Sequence, residues 1–199
     1  QMCIRDRVQG AYSIVVLTRD AMFAVRDPHS FRPLCIGVKD NSTVFASESC
    51  ALDLIGYDYV RDVQPGEIVR ADANGWTAKQ FTKSGKTHFC IFELIYFSRP
   101  DSRMQGDYVD KSRRKMGKIL ATEHPVDADI VISVPDSSNT AALGYSSESN
   151  TKFELALIRN HYVGRTFIEP TQAMREMGVR MKFNPVGGCL LYTSDAADE

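Results

Sequence analysis

The sequence lacks an excess of charge of either sign: 24 Lys and Arg stand against 25 Asp and Glu, a formal net charge of −1. A general nucleic-acid binder leaves a basic footprint, so that function is excluded and any anion site must be local. No apolar run approaches membrane-spanning length and no signal-peptide pattern is visible. The expectation is a cytoplasmic protein with neither membrane nor nucleic acid as a partner. The five cysteines, at positions 3, 35, 50, 90 and 189, form no CxxC pair. Scattered and odd in number, they fit reduced thiols better than a disulfide framework. His29, His88, His124 and His161 show no metal-ligand spacing and read mostly as surface residues. What remains is ordinary: 43% hydrophobic and 25% charged residues over 199 positions, the range of one or two globular domains.

The two ends stand apart from the rest. The opening "MCIRD" can be written ATG TGT ATA AGA GAC. Its reverse complement, preceded by T, reads TGT CTC TTA TAC ACA T, which encodes the "CLLYT" near the other end. Both ends can therefore come from opposite strands of one DNA element, and the pattern resembles a transposon end used in sequencing libraries. Residues 1–7 and 189–199 are read as non-native and set aside. Cys3 accordingly carries no weight as a nucleophile.

Between them, residues 8–88 read as β. "AYSIVVLT" is a dense β-branched run, and "MFAVRD", "PLCIGV" and "TVFASES" follow at short intervals across turn signals. "ALDLIGY" reads as a short helical turn, and "EIVRAD" and "TAKQFT" flank Asn74-Gly75, a hairpin signature. "TKSGKTH" (82–88) reads as a linker. From there the pattern changes: an apolar strand beginning at Cys90, a helix over 108–124 from the spacing of Val109, Met116, Ile119 and Leu120, then a buried strand, a turn and an Ala-rich helix in "ADIVISVPDSSNTAALGYS". "KFELALIRN" reads as one further strand. Alternating strand and helix predict an α/β domain with a parallel sheet over 89–188.

Three stretches carry candidate chemistry. In "ISVPDSSNTAALG", Asp136, Ser137 and Ser138 sit where a parallel strand gives way to a helix, a place where anions and Mg²⁺ collect; plain N-capping explains the same residues about as well. In "RDPHSFRPL", Arg26, Asp27 and Arg32 read more readily as a solvated hairpin with local charge pairs than as a substrate site. Cys90 reads as a small buried hydrophobe, as do Cys35 and Cys50. "RNHYVGRTFIEPTQAMREMGVRMK" (159–182) carries five basic side chains and two glutamates, broken by Gly164, Pro170 and Gly178. A solvated basic face is the plain reading. A loop and short helix that close over a polyanion is the functional one, because such lids exclude water and deliver cations to developing charge.

"RDPHSFRPL", "ASESCALD", "VRDVQPGEIV", "CIFELIYFSRPDS", "VPDSSNTAALGY" and "NHYVGRTFIEPTQAMREMGVRMK" occur, in this order, in a way that resembles the glutamine phosphoribosylpyrophosphate amidotransferases. The resemblance covers nearly all of 8–188. It implies an α/β fold (α+β, then α/β): residues 8–88 as the later part of an N-terminal-nucleophile αββα glutaminase domain, and 89–188 as the first part of a type I phosphoribosyltransferase domain. It implies the first committed step of purine synthesis, in which ammonia from glutamine displaces pyrophosphate from phosphoribosyl pyrophosphate to give 5-phosphoribosylamine. Implied partners are glutamine, phosphoribosyl pyrophosphate and purine nucleotide feedback inhibitors, in a homo-oligomer. Implied cofactors are Mg²⁺, with Ser137 contributing to its site, and in one branch a 4Fe-4S cluster for which Cys90 is the first ligand. Arg165 and Lys182 are implied as catalytic residues of the lid, and Asp136, Ser138, Arg159, Arg165 and Lys182 as substrate-binding residues.

The departures from the family pattern are specific. Ser30 stands where glycine is common, which puts a positive-φ turn in question. Arg159 stands for the usual lysine and His161 for the usual arginine. The nucleophilic cysteine lies upstream and the acidic pyrophosphate loop downstream of this stretch, so the chain alone is expected to be inactive in both half-reactions and poorly soluble. A phosphoribosyltransferase-like regulator that only binds a nucleotide is the alternative, disfavoured by the glutaminase-like half. A different N-terminal-nucleophile amidotransferase is disfavoured by "VPDSS" followed by "YVGRTF".

Overall fold

The computed structural model describes residues 8–82 and 86–190. The non-native reading of 1–7 and 191–199, and the centre of the 82–88 linker, lie outside the described residues. The chain forms two compact units, Gln1–Asp110 and Lys111–Glu199.

In the first unit β1 (Ser13–Leu17), β2 (Met22–Arg26), β3 (Cys35–Lys39) and β4 (Ser42–Ala46) follow the β-branched runs. Helix α1 (Ser49–Ile55) comes next and ends at Gly56, whose φ of 69° lets Gly56 N–H and Tyr57 N–H close on the carbonyls of Asp53 and Leu52. Then come β5 (Asp58–Asp62), which the sequence reading left unassigned, β6 (Glu67–Asp72) and β7 (Gly75–Gln80); the last two form a hairpin at the expected place, but its turn residues are Ala73 and Asn74, and Gly75 opens β7 opposite Asp72. One antiparallel sheet has the order β1-β2-β6-β7 and a second the order β4-β3-β5. Their facing side chains, Ala24 and Val69 from the first and Ile36 from the second, meet Leu34 and Val63 in one core, with Phe45 and Trp76 at its margin. Leu52 of α1 is fully buried against β3, where Gly37 leaves room: a Cβ there would sit 2.8 Å from Leu52 Cδ2.

Two expectations fail in this unit. "RDPHSFRPL" is not solvated: Arg26, Asp27 and Ser30 are 2%, 0% and 1% exposed. Arg26 donates through Nη1 to the Val63 carbonyl at 2.7 Å and through Nε to the Arg32 carbonyl at 2.9 Å. Burial pushes its guanidinium below the ordinary value, and the charges of Asp62 and Asp27 oppose that shift. Asp27 accepts from the backbone N–H of His29 (2.8 Å), Phe31 (3.2 Å) and Tyr12 (3.4 Å). Ser30 keeps the glycine-like geometry, with φ of 62°. The second failure is at Cys90, which begins no strand. Its N–H donates to the Phe31 carbonyl, and the chain then enters a π-helical turn, Glu93–Phe97. Glu93 explains the turn. Although it lies inside an apolar run it is 2% exposed, accepting from Ser98 Oγ at 2.7 Å and lying 2.9 Å from Arg32 Nη1. Burying that carboxylate turns Ile91, Phe92, Tyr96 and Phe97 outward.

The segment after it also packs on the first unit. Glu48 accepts from Arg99 N–H (2.8 Å) and Ser102 Oγ (2.7 Å), and Arg103 N–H donates to Ser49 Oγ at 2.8 Å. The small hairpin β8 (Arg103–Met104) and β9 (Asp107–Tyr108) closes the unit.

In the second unit, helix α2 (Val109–Glu123) matches its predicted span. The predicted buried strand shrinks to β10 (Ile130–Val131), followed by α3 (Asn139–Ser149); "KFELALIRN" divides into β11 (Lys152–Phe153) and β12 (Leu157–Arg159). Helix α4 (Gln172–Lys182) and β13 (Phe183–Pro185) follow. β10 and β11 pair in parallel, as the α/β reading requires, but among the described residues they form a two-stranded sheet, so Ile132 and Val134 are exposed rather than buried. The helices cross at bare backbone. A Cβ on Gly117 would lie 1.9 Å from the Ala141 carbonyl oxygen, and one on Gly144 2.1 Å from that of Arg114. Glycine at both positions is what lets α3 lie against α2 at all.

Candidate functional site

The site candidates of the second unit gather at the turn that leads from β10 into α3. Ser133 is buried and its hydroxyl donates to Asn139 Oδ1 at 2.7 Å, which pins the turn across its mouth. Ser138 is the N-cap residue of α3, yet its hydroxyl donates backward to the Val134 carbonyl at 2.6 Å and makes no capping bond. The plain capping explanation of this stretch is therefore overturned: α3 begins without a side-chain cap. Asp136 and Ser137 are exposed on the turn.

The basic segment forms a flap. Its base is the antiparallel pair β12–β13, in which Arg159 stands opposite Phe183. Asn160 N–H donates to the Lys182 carbonyl at 2.7 Å, and Lys182 Nζ donates to the Gly164 carbonyl at 3.1 Å, so both ends of the flap are tied together. Residues 160–171 form an irregular loop, and α4 starts at Thr171, whose Oγ1 accepts from Met174 N–H. Gly178 lets α4 rest on the loop: a Cβ there would meet Thr166 Cγ2 at 2.9 Å. No residue of α4 is buried. The loop-and-helix expectation for this stretch thus matches the secondary structure found.

Turn and flap meet at one contact. Arg159 Nη1 donates to Asp136 Oδ2 at 2.7 Å, and His161 Nδ1 lies 3.9 Å from the same oxygen. The pair is partly open to solvent, so its own contribution to stability is small, under about 1 kcal/mol. Arg159 Nε, by contrast, is buried with no hydrogen-bond partner, as is Thr140 Oγ1 in the first turn of α3. Buried donors without acceptors are uncommon and costly in a folded chain. Arg165 is exposed on the loop. The structure therefore brings Asp136, Arg159, His161 and Lys182 to the flap base and its facing turn, with Ser137 and Ser138 on that turn. Cys90 belongs to the first unit. The apolar groove of about 510 Å³ lined by Leu120, His124, Ile132, Ala141 and Tyr145 holds no Asp, Glu, Lys or Arg side chain.

For Mg²⁺ the donor set fits in one limited way. One half-exposed carboxylate and one exposed hydroxyl, Asp136 and Ser137, suit a cation that takes most of its oxygens from substrate phosphates and water. They do not suit a cation held in a protein cage, since no group of three or more His, Cys, Asp or Glu side chains converges among the described residues. An iron–sulfur cluster needs four thiolates, and Cys90 has no such set around it among the described residues.

No family model matches the chain. Individual relatives do. The chain is 52% identical over 186 residues to the chloroplastic amidophosphoribosyltransferase 2 of Arabidopsis thaliana, covering 93% of this chain and 33% of the relative. It is 51% identical over 180 residues to the amidophosphoribosyltransferase of Synechocystis, covering 89% and 36%. It is 46% identical over 181 residues to that of Bacillus subtilis, covering 91% and 38%. Among solved structures, the glutamine phosphoribosylpyrophosphate amidotransferase of B. subtilis complexed with ADP and GMP superposes with a TM-score of 0.84 at 45% identity, covering 92% of this chain and 40% of that one. A structure described as the allosteric regulatory enzyme of purine biosynthesis gives the same values. The chain thus spans between a third and two-fifths of the length of the relatives it matches. Sequence and fold agree: this chain is homologous to a segment of the amidophosphoribosyltransferases.

Proposed function

We propose that the longer protein to which this segment corresponds makes 5-phosphoribosylamine. Glutamine and water would give glutamate and ammonia. The ammonia nitrogen would then bond to C1 of phosphoribosyl pyrophosphate as the bond from C1 to the diphosphate breaks and pyrophosphate leaves. Residues 8–88 correspond in this reading to glutaminase sequence and 89–188 to phosphoribosyltransferase sequence. The observation that carries it is the basic flap joined to the Asp136 turn through Arg159, in a chain about half identical to named amidophosphoribosyltransferases.

The leaving diphosphate accumulates negative charge, so fixed cations around it lower the barrier. Arg159 and Lys182, at the flap base, and Arg165, on the loop, are the candidates for that role. Ser138 and Asp136 would line the substrate's side of the turn. Mg²⁺, held by Ser137 and Asp136 together with substrate oxygens, would neutralise part of the diphosphate charge. Cys90 would serve as one ligand of a 4Fe-4S cluster only where three further thiolates come from the longer protein. Purine nucleotides are proposed as regulators, on the strength of a relative solved with ADP and GMP. No described helix is long and apolar enough to cross a membrane. The compartment is expected to follow the host: plastid in a plant, as the plant relatives' names state, and cytoplasm in a bacterium.

A segment exchange tests the function. Residues 8–188 of this chain, placed in the matching stretch of the B. subtilis enzyme, are expected to restore purine-independent growth to a strain lacking that enzyme. A soluble chimera that releases glutamate from glutamine yet makes no phosphoribosylamine would overturn the assignment of the second unit.

A further inference from the structure

We propose that Asp136 is a positioning residue for Arg159: by holding Nη1 it leaves the Nε–Nη2 edge of the guanidinium as a ready receptor for a phosphate oxyanion. This rests on the reading of the second unit as a binder of a phosphorylated ligand.

The geometry points to it in three ways. Arg159 Nη1 is committed to Asp136 Oδ2 at 2.7 Å. On the same side chain Nε is buried and has no partner. The planar guanidinium bonds two oxygens of a carboxylate or a phosphate through two parallel N–H groups, and with Nη1 occupied the remaining fork is the Nε–Nη2 edge. His161, 3.9 Å from the same carboxylate oxygen, adds a second group that carries positive charge when protonated. The backbone supports the arrangement: Arg159 ends β12, paired with β13, and the Asn160 N–H to Lys182 carbonyl bond follows directly.

Two effects of Asp136 oppose one another. Its charge repels an incoming anion, and its hydrogen bond removes the rotamer freedom of a long side chain before the ligand arrives. Asp136 is 51% exposed, so its repulsion is screened by solvent and salt. Arginine rotamer entropy is among the largest of any side chain. Positioning therefore wins, and removal of the carboxylate should weaken phosphate binding rather than strengthen it.

The test uses the chimera that carries residues 8–188 in the matching stretch of the B. subtilis enzyme, inorganic pyrophosphate as the probe, and NMR of the Arg159 Nε–H group alongside calorimetry; the chimera with no further substitution is the reference chain. In the unsubstituted chimera pyrophosphate should shift the Arg159 Nε–H resonance. Asp136→Asn should broaden that resonance before any ligand is added and weaken pyrophosphate binding about threefold, with an unchanged melting curve because the residue is half exposed. Asp136→Glu should restore most of the affinity, and Arg159→Lys, which keeps the charge and loses the fork, should not. Equal or tighter binding by Asp136→Asn overturns the positioning role and leaves the functional reading standing. Failure of the unsubstituted chimera to bind pyrophosphate overturns both, and binding that Arg159→Ala does not change overturns the receptor role of Arg159.

Discussion

Ser30 shows how much one side chain can hide. It occupies a left-handed conformation at φ 62°, in a turn closed by the Ser30 N–H to Asp27 carbonyl bond. A non-glycine residue there costs roughly 1–2 kcal/mol, and glycine gives back part of that by loosening the unfolded chain. Ser30→Gly should therefore stabilise the first unit by about 0.5–1 kcal/mol, seen as a higher urea midpoint in Trp76 fluorescence. A lower midpoint would mean that the serine makes a contribution beyond its backbone. The expectation of a strained or altered turn was half met: the geometry is kept, and the position is the conformation glycine would favour. The neighbouring arginine was the harder residue to read. Arg26 and Asp27 look like surface charges because charged residues usually are. Their burial depends on acceptors far away in sequence, such as the Val63 carbonyl 37 residues on.

At the level of elements, periodicity located α2 and alternation located most strands of the first unit, since each signal is local. The apolar run after Cys90 misled because composition alone cannot distinguish a strand from a turn built around one buried glutamate. The strands of the second unit were overestimated for a related reason: a strand's length is set by its partners, and β10 pairs only with β11 among the described residues. The α2–α3 crossing was not visible in sequence, where Gly117 interrupts a good helical pattern and looks like a weakness. Gly117→Ala would press a methyl group into the Ala141 carbonyl. It should cost the second unit about 1–3 kcal/mol or more, because backbone at a helix crossing yields little. Far-UV circular dichroism would report the loss, with Trp76, the sole tryptophan, reporting the first unit separately. An unchanged helical transition would show that the helices can slide apart at little cost.

For the molecule as a whole, one buried thiol and one half-buried phenol shape how stability depends on alkaline pH. Burial, with the Asp62 charge assisting, pushes the Cys35 thiol up to about 12, from an ordinary value of 9.0. Burial and the neighbouring Asp62 raise Tyr59 from 10.0 to about 12. Both groups ionise more easily in the unfolded chain. Their contribution is complete below about pH 9 and is lost as pH rises toward 12. Thermal unfolding should therefore fall steadily across that window, and Cys35 should resist alkylation at pH 8 until denaturant is added. A flat alkaline profile would argue that Cys35 and Tyr59 are solvated. The same scale bears on solubility. All five residues of β1 are exposed, with Leu17 at 79%, and Tyr162 and Phe167 of the flap at 100% and 70%. Apolar edges and patches of this kind favour association.

Local chemistry settled a good deal in advance. Asn74 and Gly75 mark the hairpin, the spacing of Val109, Met116, Ile119 and Leu120 makes α2, and Gly164 and Pro170 lie in the loop of the 159–182 stretch while its helix runs on through Gly178. Each follows from residues that are neighbours in the chain. The order of the motifs along the chain likewise carries the resemblance to the amidotransferases without reference to the fold. Other features come from groups distant in sequence and joined by folding: the buried Arg26–Asp27 turn, the inward Glu93, the bare-backbone helix crossing, and the grip of Asp136 on Arg159 across 23 residues. Burial and pairing are properties of the packed chain, and the packed chain alone assigns each charged side chain its partner.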